Sequence, residues 1–83
     1  MAREDVEVVI EYLNVEHGFK KSANYLLTAT KDSISVSFWF IEDRNKVLED
    51  LPVHLMDISW QSWGPHYKIN FSKEALEWIL SER

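Results

Sequence analysis

The chain has 83 residues, with fourteen Asp and Glu against nine Lys and Arg and no cysteine. That length fits one small domain over residues 1–83. The lack of Cys excludes disulfides and thiolate metal sites, and the net charge of −5 disfavours nonspecific binding to phosphate backbones or anionic membranes.

Residues 3–17 are predicted to form a helix. Val6, Val9, Ile10, Leu13 and His17 recur at the spacing of one helical face, while Glu7, Glu11 and Asn14 fall away from it. Glu4 and Asp5 sit where negative charge suits the helix dipole. Gly18 can take the positive φ of a helix stop, and Phe19 follows where a Schellman cap wants an apolar contact. The competing reading is a strand, since Val6, Val8, Ile10 and Tyr12 also alternate.

Residues 20–24 are a polar connection. Residues 25–31 and 33–41 read as two strands of an antiparallel hairpin, joined through Lys31, Asp32 and Ser33. In the second strand Ile34, Val36, Phe38 and Phe40 share one face, because successive side chains point to opposite sides. Ser35, Ser37, Trp39 and Ile41 share the other. The strand belongs in the middle of a sheet.

Residues 42–46 are a polar break. Residues 47–51 fit either a helical turn or a short strand, ended by Pro52, which biases Leu51 away from helical angles. Residues 53–63 alternate, with His54, Met56, Ile58 and Trp60 on one face. Gly64-Pro65 is a turn signal, and residues 66–71 alternate again to close a second hairpin with Tyr67, Ile69 and Phe71 inward. Asn70 or Ser72 can cap a last helix, whose stripe is Ala75, Leu76, Ile79 and Leu80, with Trp78 at its edge. The expected fold class is α+β, an antiparallel sheet of about four strands (two hairpins) flanked by an N-terminal and a C-terminal helix on one face.

Chemistry-bearing patterns are sparse. His17, His54 and His66 have no partner at metal-ligand spacing, so no metal or other cofactor is expected. There is no GxSxG elbow and no glycine-rich phosphate loop. The acid pairs Glu42-Asp43 and Glu49-Asp50 lie in or near polar turns, where solvation is their ordinary state. The chain is not expected to be an enzyme. Residues 18–22 superficially match a helix-turn-helix turn, but Asn14 and Asn24 occupy positions that motif fills with a small and an apolar residue.

The aromatic surplus is the more informative signal. Trp39, Trp60, Trp63, Tyr67 and Trp78 exceed what one covered sheet face absorbs, and Trp and Tyr are enriched at interface hot spots. With helices on one face only, Trp39 and Ile41 would stand on the open face, followed by Glu42 and Asp43. An apolar anchor with an acidic rim suits a basic protein partner or a second copy of the chain. The expected binding residues are therefore Trp39, Ile41, Glu42, Asp43, Trp60, Trp63 and Tyr67. No apolar run approaches the ~20 residues that span a bilayer, and MAREDVEVV carries acids where a secretory leader carries bases. The expected protein is a small acidic cytoplasmic interaction module of the inhibitor, immunity or antitoxin type. The alternatives are a nucleic-acid-associated regulator, using Lys20, Lys21 and the second-hairpin aromatics, or a small ligand-binding or enzymatic domain near His54 and His66.

Overall fold

The computed structural model describes residues 2–52, 56–59 and 67–82. Helix α1 spans Arg3–Glu11 and runs into a π-helical turn at Tyr12–Glu16. Strands β1 (Tyr25–Ala29) and β2 (Ser33–Phe38) follow, then α2 (Ile41–Asp50), β3 (Met56–Ser59), β4 (Tyr67–Ser72) and α3 (Lys73–Glu82). The chain is α+β with an antiparallel sheet.

The strands lie in the order β1-β2-β4-β3, and every neighbouring pair is antiparallel. β2 and β3 therefore run parallel to each other with β4 returning between them. The unit β2-α2-β3 is a split β-α-β connection, closed by the inserted strand. β1 and β3 form the two edges.

The sheet has one apolar and one polar face. Register aligns Tyr25 with Phe38 and Leu27 with Val36 across β1 and β2, then Ile34 with Phe71 and Val36 with Ile69 across β2 and β4. Tyr25, Ile34, Val36, Phe38, Ile69 and Phe71 are all fully buried, and each helix adds to the same core: Val9 from α1, Val47 from α2, and Ala75, Leu76 and Ile79 from α3. The opposite face presents Thr28, Ser35, Ser37, Lys68 and Asn70. There the Ser35 hydroxyl donates to Asn70 Oδ1 at 2.6 Å.

The first helix forms as its periodicity dictates, with Val9 and Leu13 buried and Val6 packed on the core. Its last turn widens to π geometry, and Tyr12, outside the predicted stripe, becomes fully buried. Gly18 takes φ 72°, the left-handed region that glycine adopts without a Cβ clash. The Phe19 amide then donates back to the Leu13 carbonyl at 3.2 Å. At the far end, Ser72 Oγ accepts the Ala75 amide at 3.2 Å and caps α3.

Three expectations require correction. The second strand stops at Phe38, so Ile41 does not stand on the sheet's open face but opens a helix, and Phe40 is not inward. The predicted polar break at residues 42–46 and the ambiguous stretch after it are one helix, α2, making three helices rather than two. Its inward side is Arg44, Val47, Leu48 and Leu51, a helical spacing in which an arginine stands where an apolar residue is usual. Leu51 leaves the helix in extended conformation before Pro52. Finally, Leu80 is 65% exposed, whereas half-buried Trp78 packs against the core.

Candidate functional site

The residues predicted to bind a partner gather, where described, around the N-terminal end of α2. The chain leaves β2 at Phe38 and turns through Trp39, whose amide donates to the Asn24 carbonyl at 3.2 Å. Phe40 is the N-cap of α2, with extended angles of φ −119° and ψ 133°. Its own carbonyl accepts the Asp43 and Arg44 amides at 3.2 and 3.4 Å, but its side chain offers no acceptor to the free amides of the first turn. Phe40 is 55% exposed and Ile41 37% exposed, while Trp39 is half-buried.

Glu42 and Asp43 occupy the first turn of the helix, where carboxylates complement the positive end of the dipole. Glu42 is exposed and Asp43 half-buried. Asp43 Oδ2 is buried and takes no hydrogen bond among the described residues. Arg44 is only 4% exposed. Its guanidinium carbon lies 5.7 Å from the Tyr67 ring centroid, a cation–π distance, and its Nη2 donates to Asn45 Oδ1 at 3.2 Å. Tyr67, half-buried at the start of β4, thus forms the floor of a buried charge. Trp60 and Trp63 lie outside the described residues, as do His54 and His66.

A second polar cluster forms at the other end of α2 and was not foreseen. The Tyr12 hydroxyl donates to Asp50 Oδ2 at 2.5 Å. With that hydrogen directed at Asp50, the same oxygen lies 3.0 Å from His17 Nε2, which donates to it in the Nε2–H tautomer. His17 Nε2 is also 3.7 Å from Asp50 Oδ2. The imidazole stacks on Phe19 at 5.3 Å and meets the Tyr12 ring edge-on at 5.2 Å. Burial lowers the His17 pKa below the usual 6.5, against the raising pull of Asp50 and Glu16, with Lys46 adding a smaller lowering effect. A few residues away, buried Tyr25 donates its hydroxyl to Asn14 Oδ1 at 2.8 Å, and burial raises its pKa.

This second cluster has a faint sequence signal. Tyr12 and His17 are five residues apart, the span of a π-helical hydrogen bond, but nothing local announces that the helix widens there. Asp50 is contributed from a distant helix and has no signature at all.

Comparison with known proteins finds no matching family model, no matching curated protein and no matching solved structure. Among the described residues no helix is long and apolar enough to cross a membrane. No group of three or more acidic or histidine side chains is placed to hold a metal ion there.

Proposed function

We propose that the protein is a small acidic protein-interaction module that works in the cytoplasm. It grips a basic protein through the N-terminal end of α2, as an inhibitor, immunity protein or antitoxin would. One observation carries the reading. Phe40 occupies an N-cap, a position where Ser, Asp or Asn satisfies a backbone amide and stabilises a helix by about 0.5–2 kcal/mol over a residue without an acceptor. The chain instead holds an exposed phenyl ring there, next to Ile41. A residue that breaks a local stability rule without an internal gain is where function is sought. Glu42 and Asp43 follow the pair in the first turn, and the exposed Glu42 carboxylate supplies the negative charge that a basic partner complements.

The test is affinity capture from native lysate with nuclease present, using the native protein, Phe40→Ser and Trp39→Ala side by side. The expected result is one stoichiometric basic protein retained by the native chain and lost by Phe40→Ser, whose circular dichroism stays native. Retention of that protein by Phe40→Ser would remove the assignment. Nucleic acid on the beads without nuclease, and nothing with it, would replace the reading with the nucleic-acid alternative. A concentration-dependent doubling of mass in light scattering would replace it with a homodimer.

A further inference from the structure

Two helical C-termini meet at the Tyr12–His17–Asp50 cluster. The π turn that continues α1 ends at Glu16, with His17 as its C-cap, and α2 ends at Asp50. A helix C-terminus carries negative partial charge and favours a cation beside it. Neither last turn holds a basic residue. The charges that act on the imidazole are those of Asp50 and Glu16, opposed by Lys46, whose effect is the smallest of the three. The junction therefore favours more positive charge than the chain places there.

Three ligand atoms converge at the same point. Tyr12 Oη lies 2.5 Å from Asp50 Oδ2 and 3.0 Å from His17 Nε2, and Nε2 lies 3.7 Å from Oδ2. Zinc bonds to nitrogen and oxygen of about 2.0–2.2 Å set neighbouring ligand atoms roughly 3–3.5 Å apart, so each separation needs to change by less than about 1 Å. The imidazole is held by its stacking on Phe19 and the tyrosine ring by the core. The Asp50 side chain is half exposed, which gives an ion a route in and leaves room for water as a further ligand. One imidazole with two oxygens suits Zn2+, Cu2+ or Ni2+, whereas Mg2+ and Ca2+ take oxygen alone.

We propose that Tyr12 Oη, His17 Nε2 and Asp50 Oδ2 form a site for a divalent transition-metal ion of the zinc type, with water completing its shell. On binding, the Tyr12 hydroxyl proton leaves to solvent and the phenolate oxygen bonds the ion. The neutral imidazole carries its hydrogen on Nδ1 and offers the Nε2 lone pair. The hydrogen bond from Tyr12 to Asp50 is replaced by two bonds to the metal.

The test is a Zn2+ titration of the full chain near neutral pH, read by calorimetry and by ultraviolet difference spectra. The expected result is one Zn2+ per chain and the appearance of a tyrosinate band in step with it. Tyr12→Phe should abolish the band. Tyr12→Phe, His17→Gln and Asp50→Asn should each weaken binding by at least about tenfold, since even the loss of an outer partner of a ligand costs about 10–100-fold. Circular dichroism identifies any variant that fails to fold, and Asp50→Asn, at a half-exposed side chain, is the mildest of the three. No Zn2+ binding by the native chain would overturn the site. Binding without a tyrosinate band would overturn the three-ligand assignment. Undiminished binding by folded Asp50→Asn and His17→Gln would show an adventitious ion only. An equal tyrosinate band with Mg2+ would overturn the transition-metal class.

Discussion

The two ends of α2 are built on opposite principles. At the N-terminal end an exposed phenylalanine replaces a polar cap, an isoleucine stands beside it, and two carboxylates follow in the first turn. At the C-terminal end Asp50 sits where the helix dipole disfavours a negative charge, yet it is held by the Tyr12 hydroxyl and approached by His17. One end leaves local stability unused and presents apolar surface. The other compensates an unfavourable charge with part-buried hydrogen bonds and ties α2 to the π turn. The difference separates a surface kept available from a joint that holds the fold together.

The comparison breaks most completely at Tyr12. Tyr12→Ala removes a fully buried ring and the Asp50 bond together, and should cost about 3–5 kcal/mol in urea unfolding, as large aromatic truncations do. Tyr12→Phe keeps the ring and removes only the hydroxyl. Its expected loss is about 1.5 kcal/mol, the lower range for a hydrogen bond to a charged group, because Asp50 is half exposed. A loss below measurement error would show that the joint is held by packing alone.

The joint should also respond to pH. His17 titrates lower folded than unfolded, so the unfolded chain binds more protons in the window between the two values. Its contribution is fully present above the usual 6.5 and is lost as pH falls through the lowered folded value. Urea midpoints should therefore fall between pH 7.5 and the lowered folded value, and His17→Gln should flatten that slope. Asp50, Glu16 and Lys46 face the same ring, so the comparison between the two proteins, not the native slope alone, is the measurement.

The smallest expected effect is at the opposite end. Phe40→Ser should raise stability by about 0.5 kcal/mol through a new cap while removing partner capture. A destabilised Phe40→Ser would mean that the half of the ring not exposed matters to packing, and the contrast between the two ends would shrink.

Much of the architecture was legible because it is written in short-range patterns. The 3-4 spacing of Val6, Val9 and Leu13 outweighed the strand-like run of β-branched residues, since that face could dock on a sheet. Gly18, Pro52 and Ser72 marked boundaries through backbone rules that need no tertiary context. α2 was hidden because its inward stripe begins with Arg44, inside the stretch read as a polar break, and its burial beside the Tyr67 ring is a matter of tertiary packing. The end of β2 was hidden for a related reason. Alternation continues through Trp39, Phe40 and Ile41, but the chain must leave the sheet to make the crossover to β3, and that turn reverses where Phe40 and Ile41 face.

The sequence by itself determined an acidic α+β domain, the polar and apolar faces of its central strands and the caps at its outer helices, because periodicity and backbone chemistry act within a few residues. Only the tertiary structure decided that β4 inserts between β2 and β3, that Phe40 faces out, and that Tyr12, His17 and Asp50 meet. Each of those depends on residues far apart in the chain, where the energy of packing, not the local pattern, chooses the partner.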